Sequence, residues 1–561
     1  MEHYKQLSYV LILLLSLSAA ISSCKKDPDN PPVTPAVVTI AKIDPATAPV
    51  GSTIAVNGSN FSTNPASTTV TIGGVVATIV SITPTQIIVT VPSGVTSGPV
   101  SVTSGGQTVQ SPNSFTVYVA PLKPVVIKQG TLDSQTWTKD NIYVLDGLVY
   151  VRERQNLTIQ PGTVIKGNGP NSALIIERLA QITAQGTAAQ PIVFTSVKPA
   201  GQRAYGDWGG VVIIGKSPVK RAGTLAYPNG IRGNVETYSE PFDNSGTLQY
   251  VRIEYAGAVQ PTTPATRFSG LTLIGVGSGT VIDHVQVSYS GNNAFSWFGG
   301  TAHVKNLFAY RSFNDDWSVD WGYVGNVQFG VSLRDPEVAD LSGSNGFEVE
   351  NYESSVTADA PAVVLYSGLQ QTVPVFANIS NFAFSSTPTT ARSARGTGAY
   401  QAGAYLRRNS AIAIYNSLIY GYPEGIRFES LGSTSGLTSG TIDLRGIVLA
   451  NVLTPVVGAG VITTDQATAY FNQADRANPI IASSNLATLL LNTANFTLTT
   501  PNFLPQAGSP LLTGAITGGK LTLTPVASSF FSPVTYRGAF GTDNWTAGWT
   551  NLSPQTMDYD R

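Results

Sequence analysis

Short runs of alternating apolar and polar residues, separated by turn residues, mark the first part of the chain. In residues 87–91, IIVTV, every second side chain is a β-branched apolar one, and the turn sequence PSG follows at 92–94. Residues 100–102 repeat the alternation before a Gly-Gly pair. Because side chains alternate between the two sides of a strand, the pattern predicts half-buried strands. Short strands with such closely spaced turns are typical of a β-sandwich, which we place at 37–120.

A longer repeat governs the second part of the chain. Residues 281–300 align with 303–322 at an offset of 22. The matched positions are Val285 with Leu307, Ser290 with Ser312, Asn292 with Asn314, Phe295 with Trp317 and Ser296 with Ser318. A further shift of 20 aligns Asp315 with Asp335. Such a period predicts one solenoid coil per repeat, because a coil buries its apolar side only against its neighbours.

Residues 125–561 are therefore predicted to form a right-handed parallel β-helix. The alternative is a second β-sandwich with chance spacing. The aromatic segment YRGAFGTDNWTAGWT, residues 536–550, is expected to form a C-terminal cap over the open end of the solenoid. The fold class is thus all-β, an immunoglobulin-like β-sandwich followed by a β-helix.

The composition agrees with an all-β chain and reduces the classes of binding partner to be expected. The 561 residues include 55 Gly and 35 Pro, only 12% of them are charged, and the net charge is -1. A protein that binds nucleic acid neutralises many phosphates with Lys and Arg. With no basic face implied, nucleic acid is not an expected partner.

The N-terminus predicts secretion and a lipid anchor. A charged start precedes an apolar run at 7–21, which is shorter than the roughly 20 residues of a membrane-spanning helix. This is the pattern of a signal peptide, here residues 1–23. Residues 21–24, ISSC, resemble a bacterial lipobox, which implies acylation of Cys24 and outer-membrane anchoring at the cell surface. The alternative is an ordinary signal with an incidental Cys. The Pro-rich segment 24–36 is then an extended linker.

Acylation of Cys24 would leave no thiol, since it is the single Cys in the chain. Disulfides, Cys nucleophiles and Cys metal ligands are then excluded. His3 leaves with the signal, so a Ser-His-Asp arrangement would need His284 or His303. We interpret both of these as structural residues at the starts of coils, with a ligand role as the alternative.

Two resemblances to known families add to this picture. The first unit carries, in order, IDP (43–45), GSNF (58–61), GG (73–74), VPSG (91–94) and SF (114–115). These motifs resemble the IPT/TIG family of immunoglobulin-like domains. The resemblance implies a spacer or contact module without catalysis.

The second unit carries GDWGG (206–210), the run 299–330, SGSNGFEVEN (342–351) and the terminal segment 536–550. These segments resemble a family of Gram-negative surface lipoproteins with a pectin-lyase-like β-helix. The resemblance implies the β-helix fold and a location at the cell surface, but it implies no activity.

The segment FNDDWSVDWG, 313–322, is the best candidate for chemistry. Strand alternation would turn Trp317 and Val319 to the core and Asp316 and Asp320 to solvent. A second acidic group lies in NGFEVEN, 345–351. The predicted ligand-binding residues are Asn314, Asp316, Asp320, Glu348 and Glu350. The alternative is that these side chains satisfy turns and backbone groups.

A metal site is the second hypothesis for this segment. Coils about 4.8 Å apart would stack Asn293, Asp315 and Asp335 in one column. Neighbouring carboxylates repel each other, and a Ca²⁺ ion bound by Asp315 and Asp335 would relieve that repulsion, as would Arg311 or Arg334. No other cofactor is predicted.

The favoured function is a lipid-anchored surface protein that binds glycans or partner proteins, or mediates adhesion. The alternative is a polysaccharide-active enzyme, either a glycosidase with two carboxylates or a lyase with a base and a cation. No lyase signature is found, and no catalytic residue is assigned. A purely structural envelope protein is the third possibility. Trp208, Trp545 and Trp549 are interpreted as cap residues, with sugar-binding platforms as the alternative.

Overall fold

Two units of β-structure follow one another in a computed structural model, with the boundary between Pro121 and Leu122. The structure describes residues 36–219, 227, 230–235, 238–258, 268–351, 371–386, 388, 398–408, 410–429, 437 and 440–561. The predicted signal peptide, Cys24 and all but the last residue of the predicted linker lie outside them. Within these residues no helix has the length and apolar content to cross a bilayer.

The first unit is an antiparallel β-sandwich, as predicted. Its strands are β1 (Thr39–Asp44), β2 (Thr47–Ala48), β3 (Thr53–Ser59), β4 (Thr68–Ile72), β5 (Val75–Thr83), β6 (Gln86–Thr90), β7 (Val100–Ser104), β8 (Gln107–Gln110) and β9 (Thr116–Val117). The main sheet has the order β1-β3-β6-β5-β4-β7-β8, while β2 pairs with β9. Strand β5 pairs first with β4 and then, from Thr78 on, with β6, in a ladder whose register shifts between Ile79 and Ser81. The alternation at 87–91 places Ile87 and Val89 in the core.

The second unit is a parallel β-helix. Its first strands are β10 (Val125–Lys128), β11 (Thr131–Leu132), β12 (Gln135–Trp137), β13 (Ile142–Leu145), β14 (Leu148–Val151), β15 (Asn156–Ile159), β16 (Val164–Gly167), β17 (Ala173–Ile176), β18 (Gln181–Gln185), β19 (Ile192–Ser196) and β20 (Gly210–Ile214). The middle strands are β21 (Gly246–Glu254), β22 (Leu271–Ile274), β23 (Val281–Ser288), β24 (Phe295–Phe298), β25 (His303–Tyr310), β26 (Trp317–Asp320), β27 (Asn326–Leu333), β28 (Phe347–Val349) and β29 (Val375–Phe382). The last are β30 (Ala402–Leu406), β31 (Ala413–Tyr415), β32 (Leu418–Tyr420), β33 (Glu424–Glu429), β34 (Asp443–Arg445), β35 (Val448–Ala450), β36 (Thr454–Ala459) and β37 (Ile480–Ile481), with helices α1 (Thr464–Phe471) and α2 (Pro525–Phe530).

These strands form three faces around one core. Strands β11, β14, β17, β20, β22, β24, β26, β28, β30, β33 and β36 make an 11-stranded sheet, the third face. The other strands belong to a 17-stranded sheet that bends lengthwise into two faces. The first face lies before the bend in the direction of the chain, and the second face lies after it. From β21 to β29 a single strand crosses both faces, since β21 pairs first with β18 and then with β19.

A column of left-handed residues makes the bend between the first and second faces. We call it the corner column; it consists of Tyr250, His284, Asn306, Phe329, Asn378 and Asn416. Their φ angles lie between 48° and 63°. A left-handed residue turns the chain sharply, and repeating it at one register position bends every coil at the same place.

The predicted offset of 22 is confirmed in the middle of the helix. Val281 pairs with His303, and Phe295 pairs with Trp317. The offset of 20 is wrong. Trp317 pairs with Phe347, thirty residues on, because a longer connection separates β27 from β28.

The C-terminal residues 482–561, which we call the strap, run back along the outside of the β-helix. Three outward amide side chains each make two hydrogen bonds with one strap residue's backbone, at 2.7–2.9 Å. The pairs are Asn416 with Ile516, Gln328 with Ser532 and Gln286 with Asn551. The strap reaches the first coil, where Lys123 N donates to Asp560 O at 2.9 Å.

The strap covers an apolar outer surface. Phe308, Leu333 and Phe382 point outward from the second face and pack against Phe503 and Phe540 of the strap. An apolar sheet face gains stability when such a layer removes it from water. The strap therefore completes the fold as a second hydrophobic layer.

The predicted C-terminal cap at 536–550 is therefore wrong. That segment lies along the coils, because their outward apolar side chains need a cover. The last coil is closed instead by α1, whose Ala467, Tyr470 and Phe471 join the main core. Trp545 and Trp549 belong to the strap, and their rings lie 6.3 Å and 5.6 Å from that of His284.

Trp208, His284 and His303, the other residues considered as ligand-binding candidates, make contacts within the fold. Trp208 is buried in the core and donates from Nε1 to Glu254 O at 2.8 Å. His284 stacks on Tyr250 at 4.5 Å, and His303 Nδ1 accepts from Asn326 N at 3.1 Å.

The strap predicts a large loss of stability for Phe503→Ala. Removing this buried ring leaves a cavity between the strap and the second face, which should cost about 3–5 kcal/mol of unfolding free energy. Urea unfolding measures it. Leu523→Ala removes an exposed side chain of the same segment and should stay within about 0.5 kcal/mol of the wild type. Equal effects of the two changes would contradict the strap's role.

Candidate functional site

The strand β26 turns Trp317 and Val319 into the core, as its alternation predicts. Asp316, predicted to face solvent, is only 1% exposed, so that prediction is wrong. Asp316 lies in the turn before β26, where strand alternation does not apply. Its Oδ2 accepts a hydrogen bond from Arg334 Nε at 3.1 Å.

Arg334 holds this turn together from inside the helix. Its guanidinium donates to the backbone carbonyls of Ser312, at 3.1 Å, of Asn314 and of Asn345. Burial raises the pKa of Asp316 to about 6, and the Arg334 charge opposes the rise. At neutral pH this is a buried ion pair whose cation has several acceptors, the arrangement that makes such a pair tolerable.

The column through Asp315 differs from the predicted one. Asn293 Oδ1 accepts from Asp315 N at 3.1 Å, as the offset of 22 implies. On the other side, Asp315 Oδ1 accepts from Asn345 N and Nδ2 at 2.9 and 3.1 Å. Asn345 therefore occupies the place expected for Asp335.

Asp335 lies after β27 and forms an ion pair with Arg311. The Ca²⁺ prediction thus loses the stacked carboxylates on which it rested. Among the described residues, no three His, Cys, Asp or Glu side chains gather as a metal site would require.

The predicted Glu348 and Glu350 lie on the outward side of the third face. We call the group around them the charged row; it consists of Glu348, Glu350, Arg407, Arg408, Arg427 and Glu429. Ser318, Glu348, Tyr405 and Arg427 follow one another in register on β26, β28, β30 and β33. The other two predicted ligand-binding residues, Asn314 and Asp320, are buried, at 8% and 7% exposed, so the prediction that Asp320 faces solvent is wrong. Its Oδ1 accepts a hydrogen bond from Trp321 N at 2.7 Å.

Each carboxylate of the charged row has an arginine partner. Arg407 contacts Glu348 at 3.3 Å and Glu350 at 3.1 Å. Arg408 contacts Glu350 at 2.9 Å. These side chains remain 16–32% exposed, so the row is accessible from solvent.

Glu429, the third carboxylate of the row, is held the same way. Arg427 contacts Glu429 at 3.2 Å, and Tyr405 OH donates to the same carboxylate at 2.6 Å. The guanidinium groups of Arg407 and Arg427 lie 4.9 and 5.7 Å from the centre of the Tyr405 ring. The ring thus fixes the orientation of two arginines.

Three carboxyl groups near the row have raised pKa values. Burial raises the pKa of Asp315 to about 6 and that of Glu350 to about 7. Burial and the adjacent Asp315 carboxylate also raise the pKa of Glu348 well above its usual range. Because Glu348 interacts with both neighbours, the trio titrates jointly and retains a proton near neutral pH.

Sequence reasoning found Glu348 and Glu350 but missed the third acid, Glu429, and the three arginines of the row. Arg407 lies 59 residues after Glu348, far beyond the repeat of about 22. The adjacent pair at 407–408 was a visible signal in a chain with few charges.

Comparison with known proteins agrees with the two-unit architecture. The profile of the pectate-lyase like beta helix domain matches residues 130–488, more than half of the chain. The protein belongs to this β-helix family. The IPT/TIG domain profile matches residues 39–117, so the first unit is an IPT/TIG domain.

Solved structures give only partial or distant likenesses to this β-helix family member. Auxiliary nutrient binding proteins from Bacteroides thetaiotaomicron VPI-5482 and Bacteroides ovatus ATCC 8483 are each 21% identical over 16% of this chain, with TM-scores of 0.14. The chain spans 22% and 23% of their lengths. Dex49A from Penicillium minioluteum is 12% identical over 76% of this chain and 81% of its own, with a TM-score of 0.26. No curated protein matches.

The buried ion pair predicts that Arg334→Met strongly destabilises the protein. The change strands the Asp316 carboxylate and three carbonyls without their donor, which should cost about 3–5 kcal/mol. Arg152→Met breaks an exposed pair with Asp133 and should cost no more than about 1 kcal/mol. Urea unfolding of both variants measures the difference. A small loss in Arg334→Met would mean that the pair is not structural.

Proposed function

We propose that this protein is a lipid-anchored surface protein whose β-helix binds glycans along the charged row. The observation that carries the proposal is the row itself, in which six charged side chains lie on, or directly after, the consecutive parallel strands β28, β30 and β33. Adjacent strands lie about 4.8 Å apart. Repeated donors and acceptors at that spacing suit a repeating, extended ligand.

The chemistry of the row favours a neutral polyhydroxy ligand. Its carboxyl and guanidinium groups are paired with one another, so the row carries no large charge of one sign and attracts neither polyanions nor polycations strongly. Sugar hydroxyls donate to carboxylates and accept from guanidinium N–H groups, and such charge-assisted hydrogen bonds are strong. The ion pairs and the Tyr405 ring hold these groups in place before binding, which lowers the entropy lost on association.

The anchor and the location of the protein belong to the same proposal. The signal-like residues 1–23, Cys24 and the Pro-rich linker support attachment to the outer membrane at the cell surface. The IPT/TIG domain would then follow the linker as a spacer before the β-helix. Partner proteins remain an alternative ligand class.

A polysaccharide-active enzyme is the second candidate, and one observation favours it. Glu350 has a pKa of about 7, and Glu348 is also raised. A carboxyl group that keeps its proton near neutral pH can act as a general acid. The adjacent guanidinium of Arg407 would stabilise developing negative charge, as a lyase requires.

Binding through the row predicts that Arg407→Gln weakens glycan affinity. This change removes the partner of Glu348 and one of the two partners of Glu350, and it should raise the Kd for neutral polysaccharides at least tenfold. Affinity electrophoresis of the full chain in detergent through gels containing xyloglucan or starch measures it. Arg232→Gln is the matched control, because Arg232 pairs with Glu177 beside the same face, at β17. Equal retardation of both variants would contradict the proposal.

Incubating the full chain with the same polysaccharides in solution separates binding from catalysis. A pure binding protein releases neither reducing ends nor unsaturated products from these polysaccharides or from polygalacturonate. Product that disappears in Glu350→Gln would establish the enzyme instead.

The anchor predicts that Cys24→Ser releases the protein from the membrane fraction, since no acyl chain would then hold it. Ser22→Ala is the control and should stay membrane-bound. Fractionation followed by immunoblotting checks this, and protease treatment of whole cells reports surface exposure. Membrane retention of Cys24→Ser would contradict lipid anchoring.

A further inference from the structure

The strap does not follow the corner column closely along its whole length. It is bound at Asn378, whose Nδ2 donates to Tyr536 O at 3.0 Å and to Gly538 O at 3.3 Å. It is also held at His284 by the rings of Trp545 and Trp549. At the two corner positions between them, Asn306 and Phe329, the strap stands off the coils and leaves a cavity of about 570 Å³.

Aromatic rings shape this cavity. Phe329, Tyr536 and Trp545 line it, and the Phe329 and Tyr536 rings lie 6.3 Å apart. Trp545 is held in place by stacking on Phe540 and by a 2.9 Å hydrogen bond from Nε1 to Ala539 O. The Tyr536 ring lies against Gly541, where a Cβ would come within 2.7 Å of a ring carbon.

Hydrogen-bonding groups with no protein partner share the cavity. The Asn306 amide, the Tyr536 hydroxyl and the Asp543 carboxylate line it, and within the described residues none of the three makes a side-chain hydrogen bond. Elsewhere in the corner column, the amides of Asn378 and Asn416 are used to bind the strap. Asn306 holds the same position in its coil, but its amide is free for a ligand.

We propose that this cavity between Asn306, Phe329 and the strap segment 536–545 is a second binding site, which takes one or two residues of a neutral sugar. Apolar sugar faces pack on aromatic rings, while the Asp543 carboxylate and the Asn306 amide bond the hydroxyls. The volume is within the range of small-molecule sites.

The charge of the lining sets the ligand class. Asp543 is the one charged residue among the lining residues, and no Lys or Arg is present there to bind an anion. A uronate carboxylate would meet Asp543 without a compensating cation, so acidic sugars are disfavoured. The site lies at the bend between the first and second faces, away from the charged row, and it stands whether or not the row binds glycans.

Calorimetric titration of the full chain in detergent tests the site. Maltotriose, cellotriose and xylotriose are the neutral probes, and trigalacturonic acid is the acidic one. We expect at least one neutral probe to bind and the acidic probe to bind at least tenfold more weakly. Absence of heat with all three neutral probes, or tighter binding of trigalacturonic acid, overturns the proposal.

Variants locate the binding in the cavity. Asp543→Ala changes an exposed side chain and should weaken the neutral probe at least tenfold without changing the melting temperature. Asp140→Ala, an exposed carboxylate of the first coil, is the matched control and should bind as the wild type does. Gly541→Ala should also weaken binding, because it displaces the Tyr536 ring. Unchanged affinity in Asp543→Ala overturns the site.

Discussion

Hydrogen bonding between parallel strands of successive coils is the constraint on which this structure depends. Each strand must lie directly over its predecessor to satisfy its backbone groups, so residues at equal positions form columns. The column of Phe295, Trp317 and Phe347 fills the core, and the column of left-handed residues bends the sheet. The same stacking acts on the outward side of the third face, where Glu348 and Arg427 of the charged row lie on either side of Tyr405.

A second constraint comes from the outside of the second face. Phe308, Leu333 and Phe382 would be exposed if the β-helix stood alone. The strap removes them from water with few regular elements of its own, and it is secured by paired amide-to-backbone hydrogen bonds. Because an irregular segment follows a regular surface, the fit is uneven. The aromatic cavity beside Asn306 arises where the two separate, so one segment contributes both stability and a site.

Much of the fold could be predicted from the sequence, because coil positions carry similar residues where the offset is constant. Phe295 and Trp317 are both large aromatics, and Ser296 and Ser318 are identical, so the register of 22 was visible. The longer connection before β28 hid the next register, and Asp335 was taken for a neighbour of Asp315. The strap has no repeat, so its aromatic residues fitted a cap equally well. Asp316 was misplaced because it lies in the turn before β26, where strand alternation does not apply, and because the repeat does not relate it to its partner, Arg334.

The register of the third face is the central claim, since it sets Glu348 beside Ser318 and builds the charged row. Registered strands place those two Cα atoms about 4.8 Å apart, within the range that a disulfide spans. In a Cys24→Ser background, Ser318→Cys with Glu348→Cys should form an intramolecular disulfide under mild oxidation. Ser318→Cys with Val338→Cys, which follows the shorter spacing of 20, should not. Cross-linking of the second pair in place of the first would contradict the account.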